Sequence, residues 1–342
     1  MNSTPPAEQA SPTLPEVFYA SPWVPPEWIK AHGLEPRGVW IVGDASPLPV
    51  AAGVCAFAEG VLHLTETHPG SAMIFSTHCD QLRRGFDVVA GAASRRAFLF
   101  NLPVTWQTAI AEKMFASELA RLGRFLLQLG GQPPTAEGLA ETMSQYRLAR
   151  SRLLEAATYL PAGEYYKALS RFHWDGTVNV RESVRPPARD GVPVAIVGGP
   201  LPAWQGHVLD AIERAGGRVV LNATEAGERS LGAALPPGQA PFTVRTRSDL
   251  LHLLTRSFLG NCVDVFQRPN TPLYGWLKER LAARQVRGIV LWHYVGCDLW
   301  RAEAQPLREA FGLPVLLLDA NEAAGDTLRQ TGRIQAFLES LR

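Results

Sequence analysis

Three of the four cysteines stand just beyond apolar runs that read as buried strands. Ile41-Val42-Gly43-Asp44 leads through a short loop to Cys55. Ala72-Met73-Ile74-Phe75-Ser76-Thr77-His78 runs straight into Cys79, and Gly288-Ile289-Val290-Leu291-Trp292-His293 precedes Cys297. On parallel strands all three thiols lie at carboxyl ends, the edge where open α/β sheets bind ligands and where the following helices begin. The thiolate is the ligand form of cysteine, and a helix amino terminus lowers the thiol pKa toward it. Three thiolates converging on that edge could hold a metal cluster, and we read them as an iron–sulfur site.

Spacing alone does not decide the matter. The separations between Cys55, Cys79 and Cys297 match none of the local ferredoxin or zinc-ribbon patterns. Free cysteine is also among the most buried residue types, so core thiols remain the alternative. A zinc site built from the three cysteines with His78 or His293 is a further reading.

Positioning these residues falls to a chain of 342 residues, against a soft prior of about 100–200 per domain, so two domains are expected. The net charge of +1 and a charged fraction of 19% leave no basic footprint for nucleic acid. Four cysteines in a chain of this length make no secreted disulfide framework, and the cytoplasm is the expected compartment. Residues 1–19 read as a disordered lead, since Met1 to Pro15 is rich in Pro, Ser and Thr and carries no basic residue before an apolar block. No apolar stretch reaches the roughly 18–20 residues that span a bilayer, and no membrane association is expected.

The segment around Trp23 to Gly33 reads as a short helix opened by Pro25-Pro26, followed by strands at Gly38–Gly43, Ser71–Thr77 and Arg96–Leu102. From Trp106 to about Tyr159 the period becomes helical, broken at Gly130-Gly131-Gln132-Pro133-Pro134, with Thr135 as the cap of the second helix. Polar, Pro-rich residues at 185–191 suit a crossover. The expected domains are therefore 20–188, with a helical insertion at about 105–160, and 189–342, where strands and helices alternate. The fold class is α/β: two Rossmann- or flavodoxin-like parallel-sheet lobes with an additional helical segment and the cluster between lobes.

Several stretches together resemble the 2-hydroxyacyl-CoA dehydratase and benzoyl-CoA reductase superfamily, in its smaller-subunit-like form. They are Val24-Pro25-Pro26-Glu27-Trp28-Ile29 with His32-Gly33 to Pro36, Thr77-His78-Cys79-Asp80-Gln81-Leu82-Arg83-Arg84, Phe100-Asn101-Leu102-Pro103, Ile212 to Val220, Arg287-Gly288-Ile289-Val290 leading to Cys297-Asp298, and Thr331-Gly332-Arg333-Ile334 to Glu339. The chain departs from the family pattern at Thr331-Gly332-Arg333-Ile334, where one residue is added, and around Cys55, where position matches better than the neighbouring letters. The resemblance implies an oxygen-sensitive [4Fe-4S] cluster between lobes, held by Cys55, Cys79 and Cys297. It further implies an acyl-CoA substrate, a homologous subunit in a heterodimer or homodimer, and one-electron reduction by a separate ATP-hydrolysing iron–sulfur activator protein. No Walker loop is present to do that hydrolysis here. Within the family, the dehydratases expel water from a 2-hydroxyacyl-CoA through a ketyl radical, the reductases pass electrons to an aromatic ring, and some subunits only support a catalytic homologue.

Three thiolates on a cubane leave one iron open for substrate; a fourth thiolate from Cys262 would favour electron transfer instead. His78, next to Cys79, His293, four before Cys297, and Glu59, four after Cys55, are the candidate proton carriers. Arg83 and Arg84 are candidates for the substrate's phosphate or carboxylate. Each also has an ordinary role open to it: core histidines, a solvated helix glutamate, and an exposed helix face or ion pairs with Asp80 or Asp87. Gly198-Gly199-Pro200 reads as a tight turn, since it lacks the rest of a nucleotide-binding motif.

Overall fold

The computed structural model describes residues 15–41, 53–92, 96–180, 190–233, 246–320 and 326–342. Two four-stranded sheets organise the chain, and every pairing in them is parallel. In the first sheet β2 (Glu35–Gly38), β1 (Glu16–Tyr19), β3 (Ala72–Ser76) and β4 (Arg96–Phe100) lie side by side in that order. In the second the order is β6 (Gly217–Ala223), β5 (Val192–Gly198), β7 (Gly288–Tyr294) and β8 (Val315–Ala320). Both sheets thus follow one topology, in which the chain reverses its direction of travel between the first and third strands. That reversal opens a crevice beyond β1 and β3 in one lobe and beyond β5 and β7 in the other.

The expected α/β class holds, and several boundaries move. Glu16–Tyr19, placed in the disordered lead by its Pro-rich surroundings, is a central strand whose Val17, Phe18 and Tyr19 are buried. A four-residue strand offers too little alternation to stand out from flanking prolines. The strand expected at Gly38–Gly43 begins earlier and ends at Gly38, where Val39–Ile41 turn as a 3₁₀ helix. β2 is an edge strand, which tolerates Pro36. Gly38 is required there, because a Cβ would stand 2.7 Å from the His173 carbonyl oxygen. The rest of that expected strand, and the crossover expected at 185–189, lie outside the described residues.

Between the sheets runs α4 (Ala109–Gln128), α5 (Ala136–Ala156) and α6 (Ala162–Asp175). Thr108 and Thr135 cap the first two, their side chains accepting from the amides of Ala111 (3.1 Å) and Gly138 (3.0 Å). α6 extends the helical segment beyond the expected 105–160. α4 and α5 pack on α8 (Arg247–Asn261), and α5 also covers α1 (Pro26–Ala31). The largest apolar core is continuous from one lobe to the other: Phe18, Ile74 and Phe75 of the first sheet share it with Ile196, Val290, Trp292 and Tyr294 of the second. Burial of this kind, at roughly 25 cal/mol per Å² of apolar surface, stabilises the packing of the two sheets in a shared core.

Candidate functional site

Each of the three cysteines stands at the N-cap of a helix: Cys55 before α2 (Ala56–Thr67), Cys79 before α3 (Asp80–Ala90) and Cys297 before α10 (Asp298–Ala302). Cysteine is not among the residues that favour this position, and none of the three makes a cap hydrogen bond. Cys79 and Cys297 follow the third strand of their sheets, on the crevice that the shared topology opens.

The turns that present them are fixed. Thr77 donates its amide to Phe100 O (3.1 Å), and its hydroxyl accepts from the Leu102 amide (2.9 Å), pinning the turn before Cys79 to the end of β4. The Cys297 amide donates to Tyr294 O (2.9 Å) across a turn in which Gly296 takes φ +85°. The Cys55 amide donates to Oε1 of Gln81, the second residue of α3, at 3.0 Å. Gln81 thereby locks two of the cysteine-bearing helix ends together. Across the lobes, the ring of Phe57 meets that of Tyr294 with centroids 6.3 Å apart, two residues after Cys55 and three before Cys297.

The three half-buried thiols are linked through Cys55, whose charge acts on both of the others. Burial pushes the Cys79 thiol well up, and Cys55 and Cys297 push it the same way. Burial likewise raises Cys55, and takes Cys297 up to about 12, with Cys55 as a further like-charge neighbour. Opposing this, the amide three residues into each helix, that of Ala58, Leu82 or Trp300, favours the thiolate. Without a cation the site therefore holds neutral thiols, and only a bound positive charge would make all three ionise. Among the described residues no group of three or more His, Cys, Asp or Glu side chains is arranged to hold a single metal ion.

Cys262 is elsewhere. It is buried at the carboxyl end of α8, its Sγ donating to Pro22 O at 3.5 Å, and its strongest electrostatic neighbours are Arg150 and Glu27. Burial takes its thiol up to about 12.

Of the candidate proton carriers, His78 immediately precedes Cys79 in the chain. Its Nδ1 meets Ser76 Oγ, its Nε2 faces Glu225 Oε2 at 3.4 Å, and its ring packs against Trp23 and Phe266. Glu59 is half-buried on the first turn of α2, and its charge acts on Cys55. His293 is buried on the opposite face of β7 from Trp292 and Tyr294, its Nδ1 3.0 Å from Tyr294 O. Its Nε2 lies 2.7 Å from Asp319 Oδ1, off the hydrogen-bond direction. With both nitrogens of each ring turned to other groups, neither histidine is aimed at sulfur as a zinc ligand would be. Arg83 and Arg84 are exposed on α3, and Arg83 Nη1 donates to Asp80 Oδ1 at 3.1 Å.

Two residues at this edge carried no motif. Glu225, in the turn after β6, is 5% exposed and raises the pKa of both Cys79 and Cys297. Arg229 is buried with every hydrogen-bonding nitrogen occupied: Nε to Ala223 O, Nη1 to Val263 O and Asp264 Oδ2, and Nη2 to Gly198 O. Its guanidinium stacks on Trp300, 4.7 Å from the ring centroid, in the helix that Cys297 caps. A buried acid and base without local sequence context give no periodicity to read; only the fold brings Glu225 within electrostatic reach of Cys79 and Cys297, and Arg229 onto Trp300. The Gly198 turn is confirmed as tight, because a Cβ there would fall 1.9 Å from Trp292 O.

No helix among the described residues is long and apolar enough to cross a membrane. No curated protein matches the chain. The family model described as 2-hydroxyglutaryl-CoA dehydratase, D-component, does match, over residues 23–341, a span that takes in both sheets beyond β1 and all three site cysteines. With nearly its whole length so covered, the chain belongs to the 2-hydroxyglutaryl-CoA dehydratase D-component family, within the 2-hydroxyacyl-CoA dehydratase superfamily.

Proposed function

We propose that this protein is the iron–sulfur subunit of a lyase that removes water from a 2-hydroxyacyl-CoA, with a [4Fe-4S] cluster held by Cys55, Cys79 and Cys297 between lobes that divide near residue 188. One observation carries the reading: three half-buried thiols at three helix N-termini, with Cys55 acting on both Cys79 and Cys297, and Cys297 acting on Cys79. Soft sulfur donors of this kind suit an iron–sulfur group. When bound, the cluster supplies low-potential one-electron chemistry and an iron position free of protein thiolate.

The chain's own residues do the remainder. Gln81 fixes the Cys55 amide, so that α2 and α3 present their sulfurs together. The Phe57–Tyr294 contact and the Trp23, His78 and Phe266 rings exclude water from the edge. His78 Nε2 and Glu59 are the groups placed to hold or move a proton beside the thiols, while His293 supports β7 against β8. Arg84 stands exposed near the start of α3, where a cation opposes the helix dipole and a bound phosphate would offset that cost. Arg83, held loosely by the exposed Asp80, is available to the same anion. A homologous subunit and a separate ATP-hydrolysing activator complete the assembly, and the reduced thiols suit the cytoplasm.

The reading is tested by incubating the anaerobic protein with its companion subunit, activator, ATP and a panel of 2-hydroxyacyl-CoA esters, and following enoyl-CoA by chromatography. Turnover that disappears in Cys297→Ser supports it. Turnover that survives in Cys297→Ser, or reduction of an aromatic CoA ester with no dehydration of any 2-hydroxyacyl ester, overturns it.

A further inference from the structure

We propose that Glu225 is a positioning residue: the clasp that holds the two lobes in the register at which Cys297 meets Cys55 and Cys79. The proposal rests on the cluster reading above for its iron readout alone. Glu225 belongs to the second lobe, and both of its carboxylate oxygens reach into the first. Oε1 accepts from Trp40 Nε1 at 3.3 Å, and Oε2 faces His78 Nε2 at 3.4 Å. Trp40 lies in the 3₁₀ turn after β2, and His78 immediately precedes Cys79. One side chain thus ties two separate turns of the first lobe to the second.

Both ends of the clasp are anchored. The Glu225 amide donates to Gly199 O (3.2 Å), next to the end of β5, and the turn closes through Gly227 N to Thr224 O (3.0 Å) and Thr224 Oγ1 to Asn222 Oδ1 (2.7 Å). At Gly227 a Cβ would come within 2.4 Å of Asn222 O, so the turn has no room to swing. Trp40 is packed against the rings of Tyr19 and His173, with centroids 5.7 and 4.8 Å away, and His78 against Trp23 and Phe266 at 5.6 and 6.4 Å. Removing the carboxylate would strand a buried indole N–H and a buried imidazole nitrogen, which is costly enough to shift the turns that carry them. The charge of Glu225 also opposes ionisation of Cys79 and Cys297. An apolar residue would serve thiolate formation better; a two-armed acceptor is what lobe registration needs.

The test compares Glu225→Ala and Glu225→Gln with wild type. In hydrogen–deuterium exchange on the metal-free protein, Glu225→Ala is expected to speed exchange by about tenfold or more at residues 39–41, 77–82 and 297–301, with α4 and α5 unchanged. Glu225→Gln keeps an oxygen acceptor for Trp40 and is expected to return those segments to within about threefold of wild type. After anaerobic reconstitution, the Ala variant is expected to hold less than about half the wild-type iron with an altered electron paramagnetic resonance line shape, and the Gln variant to regain the wild-type signal. Wild-type exchange at all three segments in Glu225→Ala, or a Gln variant as disturbed as Ala, overturns the proposal. Should Glu225→Ala not fold, Trp40→Phe removes one arm only. Faster exchange at 39–41 and 224–226 that spares 77–82 then supports the clasp, and no change there overturns it. A wild-type protein that takes up no iron refutes the cluster reading, while the exchange comparison still decides the clasp.

Discussion

With no metal bound, the three N-cap thiols should be poor nucleophiles. Burial takes Cys297 from an ordinary 9.0 up to about 12 even with the Trp300 amide pulling the other way. At about pH 8 such a thiol is ionised in roughly one molecule in ten thousand, against roughly one in ten at the ordinary value, so its thiolate population is about a thousandfold lower. Cys55 and Cys79 are displaced in the same direction by the same cause. Alkylation of the chelator-treated protein by iodoacetamide under anaerobic conditions, followed cysteine by cysteine through peptide mass spectrometry, should therefore run at least about a thousandfold slower at Cys297 than at free cysteine. The rate should climb about tenfold per pH unit across the range from about 8 to 10. Because the folded state favours the protonated thiols, their contribution to stability is fully present below about pH 9 and is lost as pH rises toward the folded values. Alkylation of Cys297 within about tenfold of free cysteine at about pH 8 would refute the reasoning, since burial would then not be holding the proton.

Other outcomes follow from neighbouring residues. Cys262→Ala should leave iron content at the wild-type level, because its thiol is turned to Pro22 O; metal analysis showing lost iron would make it a ligand after all. His173 is buried neutral, its pKa lowered to about 4 by desolvation, and its Nε2 lies 3.0 Å from Ala226 O. It therefore stabilises the fold above the unfolded value of 6.5 and loses that contribution, about 3 kcal/mol, as pH falls toward 4. Urea titrations should show the stability difference between pH 7 and pH 4 shrinking by about that amount in His173→Asn, and an unchanged slope contradicts the assignment. Arg229→Met strands the buried Asp264 carboxylate and three carbonyls, and should cost about 3–5 kcal/mol in chemical unfolding; a loss under about 1 kcal/mol would mean that the guanidinium is not the keystone of this edge.

Legibility in the sequence followed the physics of each signal. Fully buried strands such as Ala72–Ser76 and Gly288–Tyr294 are continuous apolar runs, so Cys79 and Cys297 were visible as strand-end thiols before any contact was known. Thr108 and Thr135 announce their helices through cap chemistry. Glu16–Tyr19 is four residues long beside prolines and carries too little pattern, although it lies at the centre of its sheet. Glu225, Gln81 and Arg229 escaped for another reason. The meaning of Glu225 lies in partners 147 and 185 residues away, and nothing in Ala223-Thr224-Glu225-Ala226 marks it as buried. Arg83 and Arg84, by contrast, stood out as a charged pair beside Cys79, yet α3 turns both to solvent.

The account stands on Cys55, Cys79 and Cys297 acting together on one group. Iron and acid-labile sulfide analysis of protein purified and reconstituted without oxygen tests that most directly, with Cys79→Ser in parallel. The account predicts about four iron and four sulfide per chain in a brown protein, with most of both lost in the Ser variant. A colourless protein without iron, or a Cys79→Ser variant that keeps the full complement, contradicts it.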